Sequence, residues 1–580
     1  FHNDSVLRAM ELILGKEVVR PEIAGLMGAY GAALYSREND EGALNRTADF
    51  EDPEDVNKAR SCILTEEELS GFSMTSSCKR CDKCTNHCLL TINTFSTGES
   101  FITGNRCERG AGKEAAGGEK LPNIYDYKYR RTFAYRPLPI DKAKRGVIGI
   151  PRVLNMYENY PFWFTMLTSL GFRVVLSPKS DKSIYEKGLE TIPSESACYP
   201  AKLCHGHIIS LIENGVDTIF YPSVVYEKKE YKNVQNHYNC PIVISYPEVV
   251  RNNIDEIKSG QVRFISPFLS LDDEKVLAKR ICEEFSQFGV TLDEAKKAVK
   301  EACRERERYR QDIRNKGEET LRLLRKSGKK GIILCGKPYH VDPEINHGIA
   351  ELISSYGLAV LTEDSVAHLA GLNYKLRVVD QWTYNSRLYR AANLVCGEPD
   401  LELVQLNSFG CGLDAVTSDQ IGEILASAGK LYTIIKIDEG NNLGAARIRI
   451  RSLIAAVQER ERRACRPEKK EIDWKTPLFT RKMRGTHTIL APQMAPIHFE
   501  LIREALRASG YRMDVLPAVD RPAIDEGLKY VNNDACYPAV ILVGQVVRAL
   551  KSGKYDPKNT SVIITQSGGG CRATNYLALL

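Results

Sequence analysis

Cys78, Cys81, Cys84 and Cys88 form a C-x2-C-x2-C-x3-C run, and Cys107 follows after eighteen intervening residues. Thiolates two residues apart can turn inward onto one metal centre, and this spacing matches cysteine ligation of a [4Fe-4S] cluster, with Leu89 where a proline is usual. Two ligand sets satisfy it: Cys81, Cys84, Cys88 and Cys107, or Cys78, Cys81 and Cys84 with Cys107. A four-cysteine zinc knuckle is the competing reading of the same spacing. The polar surroundings argue against cysteines packed in a core.

Three further cysteines are dispersed. Cys198 precedes a predicted helix, Cys240 precedes the predicted strand "PIVIS", and Cys411 follows "LVQLNSFG". In an open parallel sheet the loops at the carboxyl ends of strands converge on one crevice, where three thiolates can hold a cluster and leave one iron open. Buried structural cysteines are the plainer alternative. Cys536 repeats the setting of Cys198, because "ACYPA" occurs at both places, and Cys571 follows "VIITQSGGG", a strand ending in a glycine loop that lets backbone approach a bulky group. That loop lacks the Lys-Ser/Thr ending of a phosphate-binding loop. "GKPYHVDPEINHG" is a candidate pocket turn ahead of a helix, with no role assigned to its residues. His205, His207, His340 and His347 read as ordinary hydrogen-bonding residues, and Cys335 as packing inside a strand.

The elements that must position these residues are those of an α/β protein: several Rossmann-like parallel-sheet domains with a small N-terminal cysteine-rich metal-binding insert. A chain of 580 residues suits about three or four domains. Residues 5 to 14 and 24 to 36 have helical patterns, and 38 to 55 hold eight acidic residues and one basic one, which suits a solvated linker. The cysteine-rich segment spans 78 to 120, with "LLTINTF" and "SFITG" as a hairpin. Residues 118 to 145 read as connection. Strand and helix alternate over 145 to 270, including strands at "DTIFYPS", "CPIVISYP" and "VRFISP". Residues 271 to 330 form a helical connector whose long helix opens with a capping box, Thr291 and Glu294. A second α/β region covers 331 to 465, with a helix from about Glu344, and a third covers 484 to 580. The third repeats the first: Gly171 and Gly510 are 339 residues apart and Cys198 and Cys536 are 338 apart, one residue from a common register.

A net charge of +6 without a basic run gives no support to nucleic-acid binding. No apolar stretch is long enough to span a membrane and no signal peptide opens the chain. Seventeen cysteines without an export signal then point to metal ligands and core residues in a reducing cytoplasm rather than to disulfides. Phe1 is not an initiator and "NYLALL" ends inside a predicted helix, so a longer protein is expected.

"CTNHCLLTINTF" with "GNRCERG", "ESACYPAKLCHGHI", "GKPYHVDPEINHGI", "NSFGCGLDAVTSDQI" and "KIDEGNNLGAARIRIRSL" resemble activase-related proteins of the 2-hydroxyacyl-CoA dehydratase and benzoyl-CoA reductase superfamily. "FHNDSVLRAMELILGKEVVRPEIAGLMGAYGAALYS" is similar to the last piece of an ATPase activase domain of the acetate-kinase and actin-like type. The resemblance implies [4Fe-4S] clusters and electrons delivered at low potential by ATP hydrolysis, with ATP and Mg held in an activase core that precedes Phe1. Asn3 and Asp4 would be remnants of that nucleotide site. Cys198, Cys240 and Cys411 would bind the first cluster of the dehydratase-like region, and Cys536 and Cys571 part of a second. It further implies a ferredoxin or flavodoxin as electron donor, an acyl-CoA or another small molecule as substrate, and a homodimer. Radical dehydration and reduction are the reactions in view. A non-catalytic, zinc-stabilised scaffold for an activase system is the alternative.

Overall fold

The computed structural model describes residues 4–19, 24–34, 66–82, 89–104, 121–372, 376–440, 443–462, 478–517 and 520–580. The chain divides into two compact units, Phe1–Ser77 with Asn93–Phe101, and Cys78–Ile92 with Ile102–Leu580. The N-terminal residues form the helix Asp4–Leu14, then a 3-10 turn Ala24–Leu26 leading into helical residues 27 to 34. Strands β1 (Met74–Arg80), β2 (Leu89–Phe95) and β3 (Ser100–Thr103) form a sheet in that order. The expected hairpin of β2 and β3 is present, with Gly98 at a φ of +86° in its turn, while β1 was not expected from sequence.

From residue 147 onward the protein is a mixed α/β structure with several parallel sheets. β4 (Val147–Ile150), β5 (Arg173–Leu176), β6 (Thr218–Phe220) and β8 (Arg263–Ile265) form a parallel sheet in the order β5-β4-β6-β8. β7 (Ser223–Tyr226) and β9 (Phe268–Ser270) make a short parallel pair beyond it. β10 (Gly331–Cys335), β11 (Ala359–Thr362), β12 (Leu401–Ser408) and β13 (Tyr432–Ile437) follow in the order β11-β10-β12-β13. β14 (Thr488–Ala491), β15 (Arg512–Val515) and β16 (Thr560–Val562) lie as β15-β14-β16. Each of these three larger parallel sheets thus has its second strand beside its first and its third on the other side. Every residue of β10 and β12 is buried, as expected for strands covered on both faces. Among the described residues, no helix is long and apolar enough to cross a membrane.

The helix Leu292–Ser327 has the predicted capping box at Thr291 and Glu294. It is a spine for two sheets: Ala295, Ala298, Val299 and Ala302 join the core around β4, whereas Leu321 and Leu324 join the core around β10 and β12. An ionic layer fastens it. Arg310 pairs with Glu230 at 3.0 Å, Arg387 pairs with both Glu158 and Glu230, and Lys128 pairs with Asp364 at 2.6 Å. Removing one member of such a buried set strands the others.

Three expectations are corrected. "PIVISYP" is the start of the helix Pro241–Asn253, not a strand. Pro241 at its first position is preset for helix, and Val243, Tyr246, Pro247 and Val250 are its buried face at helical spacing. Residues 118 to 145 include the helix Ile124–Thr132, whose Ile124, Tyr125, Lys128, Tyr129 and Thr132 are buried. The helix expected from about Glu344 begins at Ile349, after a 3-10 turn Pro338–Val341.

The internal repeat extends beyond the two landmarks seen in sequence. Asp181 and Asp520 each cap a short helix, accepting the backbone N–H of Ile184 and Ala523 respectively. Gly171 and Gly510 have φ of +87° and +83°. A Cβ on Gly206 would overlap the Ile184 carbonyl, and one on Gly544 would overlap the Ala523 carbonyl. Both units therefore bring a short helix into backbone contact with the helix that follows the cysteine. Gly188 and Gly527 still match at an offset of 339, so the one-residue slip falls in the loop just before Cys536.

Candidate functional site

Cys198, Cys240, Cys411, Cys536 and Cys571 share one local structure. Each is the residue immediately before a helix: Tyr199–Glu213, Pro241–Asn253, Gly412–Ser427, Tyr537–Lys551 and the 3-10 turn Arg572–Asn575. All five have extended backbone, with φ from −62° to −78°, and none of the side chains makes a cap hydrogen bond. The third helical residue after each of the first three, Ala201, Val243 and Asp414, instead directs its backbone N–H towards the sulfur and favours the thiolate. A helix N-terminus is a favourable place for negative sulfur.

The first three cysteines act on common neighbours. Burial pushes the Cys198 thiol up to about 12, with the charge of Cys240 adding to the rise. Burial also raises Cys240, against Lys337, and raises Cys411 further, with Asp414 adding to it. The Tyr339 hydroxyl is raised by its burial and then by Cys198, Cys411 and Cys240 together. Lys337 is buried. Its ammonium pairs with Asp414 at 3.1 Å and donates to Asn385 Oδ1. Burial alone would lower its pKa, but Asp414, Cys411 and Cys240 hold it above the ordinary lysine value. His340 accepts the Lys337 backbone N–H at 2.9 Å, and burial takes its imidazole down to about 3, so it is neutral.

The Cys571 loop adjoins this locality. Trp382 Nε1 donates to the Gly570 carbonyl at 2.8 Å and Gln381 Nε2 to the Cys571 carbonyl at 2.9 Å. On the other side of the same segment, the Tyr238 N–H donates to the Gln381 carbonyl at 2.9 Å, two residues before Cys240. Gly570 lies against the Tyr238 ring, where a Cβ would be 3.4 Å from Cγ, which is the close approach expected of that glycine loop. Gly412, next to Cys411, leaves the space that the Arg572 guanidinium occupies. Cys536 Sγ lies 2.5 Å from Tyr576 Oη, and burial, then Cys536 and Cys571, raise that phenol.

Among the described residues, no group of three or more His, Cys, Asp or Glu side chains is disposed to hold a metal ion. Cys78 is exposed on β1 and Cys81 is buried. Cys84, Cys88, Cys107 and Asn3 lie outside the described residues, and Asp4 is the first residue of its helix. Cys335 is buried within β10 and Cys204 is buried with its sulfur 3.6 Å from Tyr221 Oη. His207 bridges Ser177 and Ser180 at 2.9 and 3.0 Å, and His347 Nε2 donates to the Asp438 carbonyl at 2.8 Å. Lys337 and Tyr339 lie in the predicted pocket turn without a role foreseen for either; Asp414 and Asn385 were missed altogether.

Residues 147–366 match the family model described as the CoA enzyme activase uncharacterised domain (DUF2229). A comparison with curated proteins gives no match. Among solved structures, the C-terminal domain of glucosamine-fructose-6-phosphate aminotransferase from Francisella tularensis is 12% identical, over 60% of this chain and 98% of that one, with a TM-score of 0.15. Transketolase from Campylobacter jejuni is 11% identical, over 70% of this chain and 72% of that one, with a TM-score of 0.11.

Proposed function

We propose that the chain is the iron-sulfur redox part of an activase-related protein and that Cys198, Cys240 and Cys411 hold a cluster of the [4Fe-4S] type. The observation that supports this best is that three loops each present a cysteine at a helix N-terminus and that all three sulfurs act on Tyr339. The match of residues 147–366 to an activase-domain family supports an activase-related role. Each thiol must lose its proton to ligate metal; burial holds all three thiols up, and the backbone N–H groups of Ala201, Val243 and Asp414 offset part of that cost. Lys337 offsets negative charge at Cys240 and Cys411.

When bound, such a cluster supplies one-electron chemistry at low potential. The chain's own residues half-bury the three cysteines and hold the cation of Lys337 beside Cys240 and Cys411. Cys536 and Cys571 belong to a second cluster site in this reading, and the segment from Cys81 to Cys107 to a relay. The electron source is an ATP-driven activase fed by a ferredoxin or flavodoxin, and the acceptor is a small molecule such as an acyl-CoA, dehydrated or reduced. Anaerobic iron and acid-labile sulfide analysis, with electron paramagnetic resonance, tests the proposal. Iron and sulfide that fall in Cys198→Ser and Cys411→Ser are expected; zinc with no iron overturns it.

A further inference from the structure

The helices Met156–Ser169 and Pro496–Ala508 hold the same place in the two repeated units, each between the first and second strands of its sheet and each followed by the matching glycine, Gly171 or Gly510. Their surroundings differ. Eleven residues of the first helix are buried, whereas Phe499 alone is buried in the second. The spine helix Leu292–Ser327 covers the first and runs antiparallel to it: Ser169 Oγ donates to Glu301 at 2.6 Å, the Arg306 guanidinium lies 5.3 Å from the centre of the Phe162 ring, and Arg310 is 3.9 Å from Glu158. At the offset of 339, Ser169, Phe162 and Glu158 correspond to Ala508, Leu501 and Ile497, and the buried Met166 corresponds to Ala505.

Among the described residues nothing takes the place of the spine in the third unit. Ile497 is 74% and Leu501 68% exposed, and Ala505 and Ala508 are exposed as well. The inner side of the helix is occupied, since Phe499 and Leu506 pack with Ile489, Ala491 and Met513. Spacings of four, four and three residues set Ile497, Leu501, Ala505 and Ala508 in one stripe on the outer side. The carboxylate and hydroxyl that Arg310 and Glu301 engage in the first unit are replaced here by Ile497 and Ala508, so a charged helix like the spine does not suit this face and an apolar one does. The stripe is complementary to itself. Turned end for end, it sets Ile497 opposite Ala508 and Leu501 opposite Ala505 of a second copy, each large side chain meeting a small one as a ridge meets a groove. The centres of these two pairings differ by half a residue, under about 1 Å of helix rise. Glu500, which has no ion pair among the described residues, then shares a flank with the half-exposed Arg507 of the second copy.

We propose that the outer face of the helix Pro496–Ala508 is the interface through which two copies of this chain pair, antiparallel, about a two-fold axis. Such an interface is isologous: each copy offers the same stripe. One helix pair buries less than the roughly 1,200 Å² of a standard stable interface, so the dimer is weak and depends on concentration. It requires no cluster and stands apart from the function proposed above.

The test is sedimentation equilibrium of the full chain under reducing conditions, over a series of micromolar concentrations. The mass is expected to rise from that of one chain towards that of two. Leu501→Glu is expected to weaken association about tenfold or more with an unchanged circular dichroism spectrum, because the side chain is exposed in the single chain. Ala505→Leu separates this pairing from indiscriminate apolar contact. It adds apolar surface yet sets leucine against leucine, and is expected to weaken association, whereas exchanging the two residues, Leu501→Ala with Ala505→Leu, is expected to restore it. The mass of one chain at every concentration, a dimer indifferent to Leu501→Glu, or tighter association in Ala505→Leu overturns the inference.

Discussion

Cys198 and Cys536 occupy the same backbone conformation in two repeated units, φ −65° and ψ 149° in one and φ −68° and ψ 148° in the other. Both precede a Tyr-Pro-Ala helix start. Serine is a better helix cap than cysteine in this position, because its oxygen can accept the orphan N–H that sulfur leaves loosely engaged. In metal-free protein, Cys198→Ser and Cys536→Ser are therefore expected to keep stability within about 1 kcal/mol of wild type, by denaturant unfolding. A large loss of stability in either would show that the sulfur is a packing atom.

Gly206 and Gly544 let the helix after each cysteine touch its short neighbour backbone to backbone. Gly206→Ala and Gly544→Ala are expected to destabilise by roughly 3 kcal/mol each, since the clash is with a carbonyl of the packed backbone and not with a movable side chain. Urea unfolding monitored by circular dichroism measures it. Gly215, which has open space around its Cβ position but a φ of +74°, gives the comparison for conformational strain without a clash.

Lys337 and Asp414 form a buried pair. Lys337→Met is expected to cost about 3–5 kcal/mol because Asp414 is left as an unpaired buried charge. The double variant Lys337→Met with Asp414→Leu is expected to recover most of that loss. A double-mutant cycle by chemical denaturation checks both, and additivity would refute the coupling.

His207 and His340 are each held down to about 3 by burial, against 6.5 for the free side chain. A folded-state pKa below the unfolded one means that the unfolded chain binds more protons between those values. Their contribution to stability is present above pH 6.5 and is lost as pH falls towards 3. Each histidine adds a slope approaching roughly 1.4 kcal/mol per pH unit within that window. His207→Gln is expected to flatten the pH dependence of unfolding by about that amount between pH 6 and 4, and an unchanged slope would refute it.

The strands were legible because short apolar β-branched runs are bounded by glycines whose positive φ the turns require, as at Gly171 and Gly510. The Cys240 helix was not, since "PIVIS" satisfies strand propensity, and the spacing of Val243, Tyr246 and Val250 emerges only when the segment is followed past Pro247. The helix Ile124–Thr132 was hidden by its charge: Lys128 is 0% exposed because it meets Asp364, 236 residues away. The site was half legible. Cysteine betrays itself by type, whereas Lys337, Asn385 and Asp414 are common residues whose meeting depends on packing between distant segments.

The segment Asp380–Trp382 is gripped on both sides, by the loop before Cys240 and by the carbonyls of Gly570 and Cys571. It works as a yoke: the two loops share one rigid crosspiece, so neither can be displaced without the other being carried with it.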